Sequence, residues 1–196
     1  MQAAAAALVL LSPFTPMIFM GEEWAATSPF QFFTDHPEPE LGEAVSRGRA
    51  SEFGTHGWDE DVVVPDPQDR ETFLRSRLRW DEVDEPEHAR MLAWHRDLIA
   101  LRRTQPALQT HRRDHVSVEV GTDAEGGDAW VALHRRDAGA VGPGVTTVVN
   151  LRETGTTVPI RSVASLLEWD GGGRTVRTPD EVVLPPRSVV VLSTAS

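Results

Sequence analysis

The sequence predicts a mixed α/β segment over residues 1–104, followed by an all-β antiparallel sandwich over residues 105–196. Two observations predict the first class: an apolar run, Pro16 to Met20, is bounded by prolines, and apolar residues after Pro86 recur at helical spacing. One observation predicts the second class, because apolar and polar residues alternate from His115 onward. With 196 residues the chain is long enough for two small domains.

The first residues predict a helix and then a strand. Gln2 to Leu11 is rich in alanine and indicates a buried helix, which the Ser12-Pro13 pair ends. The run from Pro16 to Met20 predicts a short buried strand that stops at Gly21. No basic residue precedes the apolar residues, and the prolines interrupt any helix before it reaches ~20 residues. We therefore expect neither a secretion signal nor a membrane span.

Residues 24 to 85 form a long irregular region rich in proline, aspartate and aromatic residues. Within it, only Glu40 to Phe53 predicts a helix. A loop region of this length inside a compact domain is usually functional or disordered. The eight aromatic residues from Trp24 to Trp80 favour an ordered, functional region, since disordered segments contain few of them.

The segment after this region predicts an amphipathic helix from Pro86 to about Thr104. Met91, Trp94 and Leu98 recur on one face of it. Proline suits the first helical turn because its missing N–H has no partner there in any helix. Two arginines in the last turn suit the negative end of the helix dipole, and a proline two residues beyond enforces the stop.

The remaining residues predict six or seven short strands separated by turns, which is typical of a small antiparallel sandwich. The predicted strands are Val116 to Val120, Trp130 to Leu133, Thr146 to Leu151, Thr156 to Ile160, Ser165 to Trp169, Val182 to Leu184 and Ser188 to Leu192. The turn signals are Gly126-Gly127, Gly142-Pro143-Gly144, Gly155, Gly171-Gly172-Gly173 and Pro185-Pro186. We place the domain boundary near residue 105.

Composition narrows the class of partner. The net charge of −11 argues against nucleic acid and against an anionic membrane, because both attract clustered positive charge. A neutral substrate such as a sugar is compatible with it. The absence of cysteine excludes a disulfide frame, a thiolate metal site and a cysteine nucleophile, and it fits a reducing compartment. The seven histidines form no HxH or HExxH motif, so we expect no histidine metal site.

Two adjacent carboxylates follow the predicted strand, and they have two interpretations. If the chain stays extended, Glu22 and Glu23 point to opposite sides, so only one can face a given pocket. The functional interpretation is a strand that delivers a carboxylate to a site. The ordinary interpretation is a glutamate at a strand end that binds a neighbouring backbone amide or an arginine.

The segment PFQFFTDHPEPE brings aromatic and polar residues together. Phe30, Phe32 and Phe33 come just before Asp35 and His36. Aromatic faces beside hydrogen-bond acceptors suit a sugar, which has apolar C–H patches and a rim of hydroxyl groups. The alternative is that two of the rings fill the core beneath a loop and that the aspartate caps a turn before a proline.

The segment DPQD also has two interpretations. Asp66 and Gln68 can be presented to a ligand by a turn. Alternatively, the segment caps a helix that begins near Arg70.

Three segments together carry a resemblance: SPFTPMIFMGEEW, PFQFFTDHPEPELGEAVSRGRASEF and VPDPQDRETFLRSRLRWDE. They resemble the C-terminal part of the malto-oligosyltrehalose trehalohydrolases, a family of alpha-amylase superfamily glycoside hydrolases. The MGEE strand is shared with glycogen branching and debranching enzymes, whereas FFTDH and DPQD together favour the trehalohydrolases. The terminal residues NLRETGTTVPI and VVLPPRSVVVL resemble the superfamily's C-terminal sandwich.

The resemblance implies a place in a fold. Ala3 to Leu11 would be the seventh helix of a TIM (β/α)8 barrel, Pro16 to Met20 its eighth strand and Pro86 to Thr104 its closing helix. Residues 1–104 would then be the end of the catalytic barrel, and residues 105–196 the C-terminal sandwich. In such barrels the site forms at the C-terminal ends of the strands.

The resemblance also implies a set of substrate-side residues, without giving any one a role. These are Glu22, Glu23, Trp24, Phe32, Phe33, Asp35, His36, Asp66 and Gln68. The family's catalytic carboxylates lie at the ends of the fourth, fifth and seventh strands, upstream of every residue here, so we assign no catalytic residue to this chain. The implied activity is hydrolysis of the α-1,4 bond next to the trehalose end of malto-oligosyltrehalose in the cytoplasm, without a metal or organic cofactor.

These expectations define partners and alternatives. The expected partners are malto-oligosyltrehalose or another α-glucan, and the N-terminal portion of the barrel. We expect the chain to be inactive by itself. The alternatives are an α-glucan-binding module without catalysis, and part of a glycogen branching or debranching enzyme.

Overall fold

The computed structural model describes residues 1–55, 64–122, 127–136 and 143–194. Its helices are α1 (Gln2–Leu11), α2 (Pro39–Thr55), α3 (Arg70–Arg75), α4 (Pro86–Thr104) and α5 (Pro106–Gln109). Short 3₁₀ turns span Glu22–Trp24, Trp80–Glu82 and Arg113–His115. The strands are β1 (Val116–Thr122), β2 (Asp128–Arg135), β3 (Gly144–Asn150), β4 (Thr156–Val158), β5 (Ala164–Trp169), β6 (Val176–Arg177), β7 (Val182–Leu184) and β8 (Val189–Thr194).

The described residues form two compact units. One consists of Met1–Glu23 with Ala89–Ser196, and the other of Trp24–His88. The first unit contains two antiparallel sheets, with strand orders β1-β2-β3-β8-β5 and β4-β7-β6. Short helices combined with antiparallel sheets agree with the predicted fold class at this level. The domain boundary near residue 105 stays a prediction.

One hydrophobic core of this unit consists of apolar side chains from both sheets. Val148, Val190 and Leu192 of the larger sheet are fully buried with Val182 and Leu184 of the smaller sheet. Every residue of β3 is buried, so the alternation expected of a half-exposed strand is absent there. A strand near the middle of a sheet that is covered on both faces has a continuous apolar or small-residue sequence for this reason.

Helices α1 and α4 belong to the same compact unit as the two sheets. Helix α1 contacts β3 and β8. In α4, the indole Nε1–H of Trp94 donates to the carbonyl of Ala3 at 3.0 Å, and its ring lies 5.8 Å from that of Trp169 on β5. These contacts explain why the apolar face of α4 is buried although the mean hydropathy of the helix is low.

Two arginines bind the C-terminal end of α1. Arg135 on β2 is 1% exposed, and its guanidinium donates to the carbonyls of Leu11 at 2.7 Å and Thr110 at 2.5 Å. Arg102 on α4 donates to the carbonyls of Leu10, Ser12 and Phe14. The last carbonyls of a helix have no partner within it. Locally, the hydroxyl of Ser12 donates to the carbonyl of Val9 at 2.9 Å. The two arginines, distant in sequence, supply donors to the carbonyls that follow it.

The predicted strand Pro16 to Met20 is wrong for the described structure. These residues have no regular structure, and the side chain of Met17 is 86% exposed. A barrel strand takes its hydrogen bonds from parallel neighbours, and no described strand lies beside this run. Residues 22–24 likewise form a 3₁₀ turn rather than an extended continuation.

Most other predicted elements are confirmed. Helices α1 and α4 have the predicted bounds, and α2 exceeds its prediction by a few residues. The short strand β6 was not predicted, because two residues give no period to detect. Predicted turns at Gly126 and Gly142 lie outside the described residues.

A close approach at Gly121 gives a first testable prediction. A Cβ added there would lie 1.9 Å from Cε2 of Trp130, its cross-strand partner, which is 6% exposed. We expect Gly121→Ala to lower the free energy of unfolding by about 1–3 kcal/mol, because the buried indole must shift. Gly48 in α2 has no atom within 4 Å of its added Cβ. The control Gly48→Ala should therefore raise stability by about 0.5–1 kcal/mol. Denaturant unfolding measures both, and equal effects would contradict the proposed clash.

Candidate functional site

The Trp24–His88 unit holds most of the predicted substrate-side residues, and a buried tryptophan lies at its base. Trp24 is 3% exposed. Its indole Nε1–H donates to Oε1 of Glu82 at 3.2 Å, and its carbonyl accepts from Nδ1 of His88 at 2.7 Å. Burial makes Trp24 a supporting residue in this structure rather than an open contact surface.

Glu82 is a buried carboxylate that sequence analysis missed. It is 1% exposed, and both of its oxygens accept from Thr27: the hydroxyl at 2.5 Å and the backbone N–H at 3.0 Å. The Thr27 hydroxyl is the main cause of a lowered pKa of Glu82, with further lowering by the Thr27 and Trp24 N–H groups, although burial opposes it. Nothing in the acidic run from Asp81 to Glu87 distinguishes this glutamate by sequence.

Gln68 connects two segments of the unit. Its side-chain Oε1 accepts from the backbone N–H of His36 at 3.2 Å, and its Nε2–H donates to the hydroxyl of Thr34. Beside it, the N–H of Thr34 donates to the carbonyl of Pro67 at 2.8 Å. These bonds hold the FFTDH segment against the DPQD segment, so two motifs that are 32 residues apart form one surface.

The DPQD segment follows its helix-cap interpretation, while the presentation of Asp66 and Gln68 to a ligand stays a prediction. Oδ1 of Asp66 accepts from the N–H of Gln68 at 3.0 Å and from the hydroxyl of Ser46 at 2.5 Å. Asp69 is the N-cap of α3, because its Oδ1 accepts from the N–H of Glu71 at 3.0 Å. The helix-cap interpretation is confirmed for Asp69, and the turn places Gln68 toward the FFTDH segment.

An open cleft of about 560 Å³ lies along this surface. Phe33 and Phe73 line it with their rings in an edge-to-face arrangement, 5.1 Å between centroids. Asp35, Gln68 and Arg70 add polar groups to the same cleft. Among the described residues, the carboxylate of Asp35 has no hydrogen-bonding partner. The cleft therefore offers apolar faces and a charged acceptor side by side.

Gln68 also lines a second cleft, of about 390 Å³. His36 and Asp66 line it, together with Glu43 and Arg47 of α2, which form an exposed ion pair at 3.2 Å. Gln68 therefore contributes to both clefts. The structure brings together five of the predicted residues here: Phe33, Asp35, His36, Asp66 and Gln68.

The remaining rings of this region are on the surface. Phe30 is 57% exposed and Phe32 46% exposed, and the guanidinium of Arg49 lies 5.3 Å above the Phe32 ring. The interpretation that two of the three phenylalanines fill the core is wrong here. Phe33 is the most covered of them, between Phe30 and Phe73.

The two adjacent glutamates bind local backbone amides. Oε2 of Glu22 accepts from the N–H of Phe19 at 3.0 Å, and Oε2 of Glu23 accepts from the N–H of Gly21 at 2.9 Å. The ordinary interpretation of these carboxylates is confirmed. They belong to the other compact unit, and their participation in substrate binding stays a prediction.

The pKa of Asp66 gives a second testable prediction. The Ser46 hydroxyl, and then the Gln68 N–H, lower this pKa below its ordinary value of 3.8. The ionised group therefore favours the fold above pH 3.8, and this contribution is lost as the pH falls through the lowered value. We expect Ser46→Ala to raise the pKa of Asp66 toward 3.8 in an NMR titration. The exposed Ser117→Ala control should leave it unchanged, and an unaltered pKa in Ser46→Ala would contradict this assignment.

The amino-acid sequence of the chain is similar to those of known proteins. No protein-family profile matches the chain. The chain is 50% identical over 179 residues to malto-oligosyltrehalose trehalohydrolase from Arthrobacter ramosus, covering 89% of the chain and 29% of that protein. It is 45% identical over 190 residues to the enzyme of the same name from Rhizobium sp. (strain M-11), covering 97% of the chain and 30% of that protein. The chain corresponds to the C-terminal part of the malto-oligosyltrehalose trehalohydrolases.

Solved structures agree with this relation to the trehalohydrolases. A crystal structure from Salmonella typhimurium assigned to the alpha amylases matches 98% of the chain and 30% of its own, with 32% identity and a TM-score of 0.75. The trehalulose synthase MutB from Pseudomonas mesoacidophila MX-45 is 17% identical over 98% of the chain and 38% of its own, with a TM-score of 0.56, and shows a shared fold alone. The chain thus spans about 30% of the length of the curated trehalohydrolases it matches.

Two further observations concern the described residues only. None of their helices is both long and apolar enough to cross a membrane. In the same parts of the chain, no three acidic or histidine side chains converge as a metal site requires.

Proposed function

We propose that the chain is the C-terminal part of a cytoplasmic malto-oligosyltrehalose trehalohydrolase. The whole protein would hydrolyse the α-1,4 glucosidic bond next to the trehalose end of its substrate and release trehalose. The supporting observation is 45% identity along 97% of the chain to a protein of that name, which includes both compact units. The segments FFTDH and DPQD, which resemble those of the trehalohydrolases, favour this activity over a glycogen branching or debranching enzyme.

In this proposal the chain contributes contacts to the whole enzyme without supplying catalysis. The apolar run from Pro16 to Met20, exposed here, would be covered by an N-terminal barrel portion. Retaining glycosidases need two carboxyl groups about 5 Å apart, one of them with a raised pKa so that it can donate a proton. The pKa values of Asp66 and Glu82 are shifted downward, which does not suit an acid.

The chain alone should therefore release no trehalose. The test is to incubate the purified 196-residue protein with malto-oligosyltrehalose and to quantify trehalose by chromatography. Trehalose released at a rate that follows the protein concentration would contradict the assignment of catalysis to residues outside this chain. A sample of the Arthrobacter ramosus relative serves as the positive control.

We propose that the surface around Gln68 contacts the glucan. Glucose units present apolar C–H faces to rings such as Phe33 and hydroxyl donors to carboxylates such as Asp35. Trp24 would stabilise the Trp24–His88 unit, which carries this surface. His36 and Asp66 would contact a neighbouring glucose unit from the second cleft. Phe32, Glu22 and Glu23 stay candidates for further contacts.

Binding of maltoheptaose by isothermal titration tests this surface. We expect Asp35→Asn to weaken binding about tenfold, because a charged acceptor for sugar hydroxyls is lost. Glu38→Gln removes the same charge from an exposed neighbour outside both clefts and should leave binding unchanged. Equal affinities of the two variants would contradict the contact. If the chain binds maltoheptaose strongly and the whole protein that contains it does not hydrolyse malto-oligosyltrehalose, the alternative of a glucan-binding module is favoured.

A further inference from the structure

One aromatic side chain of the Trp24–His88 unit is more exposed than its chemistry would suggest. Trp80 is 70% exposed, whereas large aromatic side chains usually bury most of their surface. It was not among the residues singled out by sequence, and it lines neither of the clefts beside Gln68. An exposed indole on an ordered turn is a candidate binding surface.

The exposed ring of Trp80 packs against a buried tryptophan. The ring centroid of Trp80 lies 5.0 Å from that of buried Trp24, at an interplanar angle of 40°. Trp24 is itself fixed by its hydrogen bonds to Glu82 and His88. Glu82 belongs to the same 3₁₀ turn as Trp80, so the turn and its support share one network. Such a ring loses little conformational freedom when a ligand binds to it.

Polar groups flank the ring on both sides in sequence. The guanidinium of Arg79 donates to the carboxylate of Asp81 at 3.4 Å, and both side chains remain more than half exposed. A flat apolar face with a donor and an acceptor on the adjacent residues matches a glucose unit, which has an apolar face and equatorial hydroxyl groups. Nucleic-acid bases also stack on tryptophan, but a net charge of −11 disfavours their phosphates.

We propose that Trp80 is a stacking platform for a glucose unit of an α-glucan. This proposal rests on the proposed function, because the substrate class comes from there. The platform would bind a glucose unit other than those held by the clefts beside Gln68, and would act by binding rather than by chemistry. Arg79 and Asp81 would orient the sugar through its hydroxyl groups.

The test follows the indole N–H signals of the full chain in ¹⁵N NMR spectra during titration with maltoheptaose. Trp80→Ala identifies the Trp80 signal by its disappearance, and backbone amide signals of residues 24–88 that stay dispersed show that the variant is folded. We expect the Trp80 signal to shift saturably in the original chain. We also expect Trp80→Ala to bind about tenfold more weakly, and Trp80→Phe, which keeps an aromatic face, to lose less.

Three outcomes would overturn the proposal, and they differ in what else they affect. If maltoheptaose binds equally to the original chain and to Trp80→Ala, the platform is excluded while glucan binding near Gln68 stands. If no indole or backbone signal responds to maltoheptaose, both the platform and the proposed glucan contact fail. If the Trp80 signal changes on dilution without sugar, Trp80 contacts a second copy of the chain instead.

Discussion

Trp24→Ala is expected to destabilise the Trp24–His88 unit by about 3–5 kcal/mol, the usual cost of removing a buried large aromatic side chain. The substitution opens a cavity beneath Trp80 and removes one of the three donors to Glu82. The buried carboxylate of Glu82 would then have one hydrogen bond fewer, which makes its burial more costly. Loss of stability in this unit should also abolish the surface around Gln68.

Hydrogen exchange measures this effect where it occurs. We expect amides of residues 24–88 to lose protection in Trp24→Ala, while amides of the β3 and β8 strands keep theirs, because those strands belong to the other compact unit. Trp80→Ala is the matched control, since it removes the same side chain from an exposed position. Protection that is equally retained in both variants would contradict the supporting role of Trp24.

Arg135→Met is expected to lower the free energy of unfolding by about 2–4 kcal/mol. Burial, and then the nearby positive charge of Arg102, lower the pKa of Arg135, so keeping this guanidinium charged inside the protein has a cost. That cost is relieved in the variant. The larger effect is that the buried carbonyl of Leu11 and the half-buried carbonyl of Thr110 lose their donors, and unpaired buried carbonyls are costly.

Thermal and denaturant unfolding test this prediction with a matched control. Arg136 is the next residue and is exposed, so Arg136→Met removes the same charge without uncovering a helix end. We expect that variant to change stability by less than about 0.5 kcal/mol. Equal stability of the two variants would contradict the capping of α1 by Arg135.

Local signals predicted much of the regular structure. Helices α1 and α4 have the bounds that their prolines and apolar spacing indicated, and Asp69 caps α3 as its position before Arg70 suggested. Each of these signals depends on neighbours within a few residues. Every strand of three or more residues was predicted from an apolar or alternating run, whereas two-residue β6 was missed.

Long-range contacts could not be predicted in the same way. The bond from Arg135 to Leu11 joins residues 124 positions apart, and the bond from Trp24 to Glu82 joins residues 58 apart. Neither arginine nor glutamate differs locally from its neighbours of the same type. The strand predicted at Pro16 to Met20 failed for a related physical reason, since a strand needs a paired neighbour and sequence pattern alone cannot supply one.

The candidate site was predicted in composition and not in organisation. FFTDH was recognised as suiting a sugar and DPQD as a turn or a helix cap, but the sequence gives no sign that Gln68 joins them through Thr34 and His36. The two clefts exist because that amide bridges the segments. Trp80 escaped notice because a single tryptophan in a polar run has the same pattern whether it is buried or exposed.

A chimera tests the proposed function most directly. In it, the matching segment of the Arthrobacter ramosus trehalohydrolase is replaced by this chain, and the rate of trehalose release from malto-oligosyltrehalose is measured. We expect a rate within about tenfold of the parent enzyme, because the shared segment has 50% identity and supplies contacts rather than catalytic groups. A chimera that has the same unfolding temperature as the parent enzyme and yet releases no trehalose would contradict the proposed function of this chain as the C-terminal part of a trehalohydrolase.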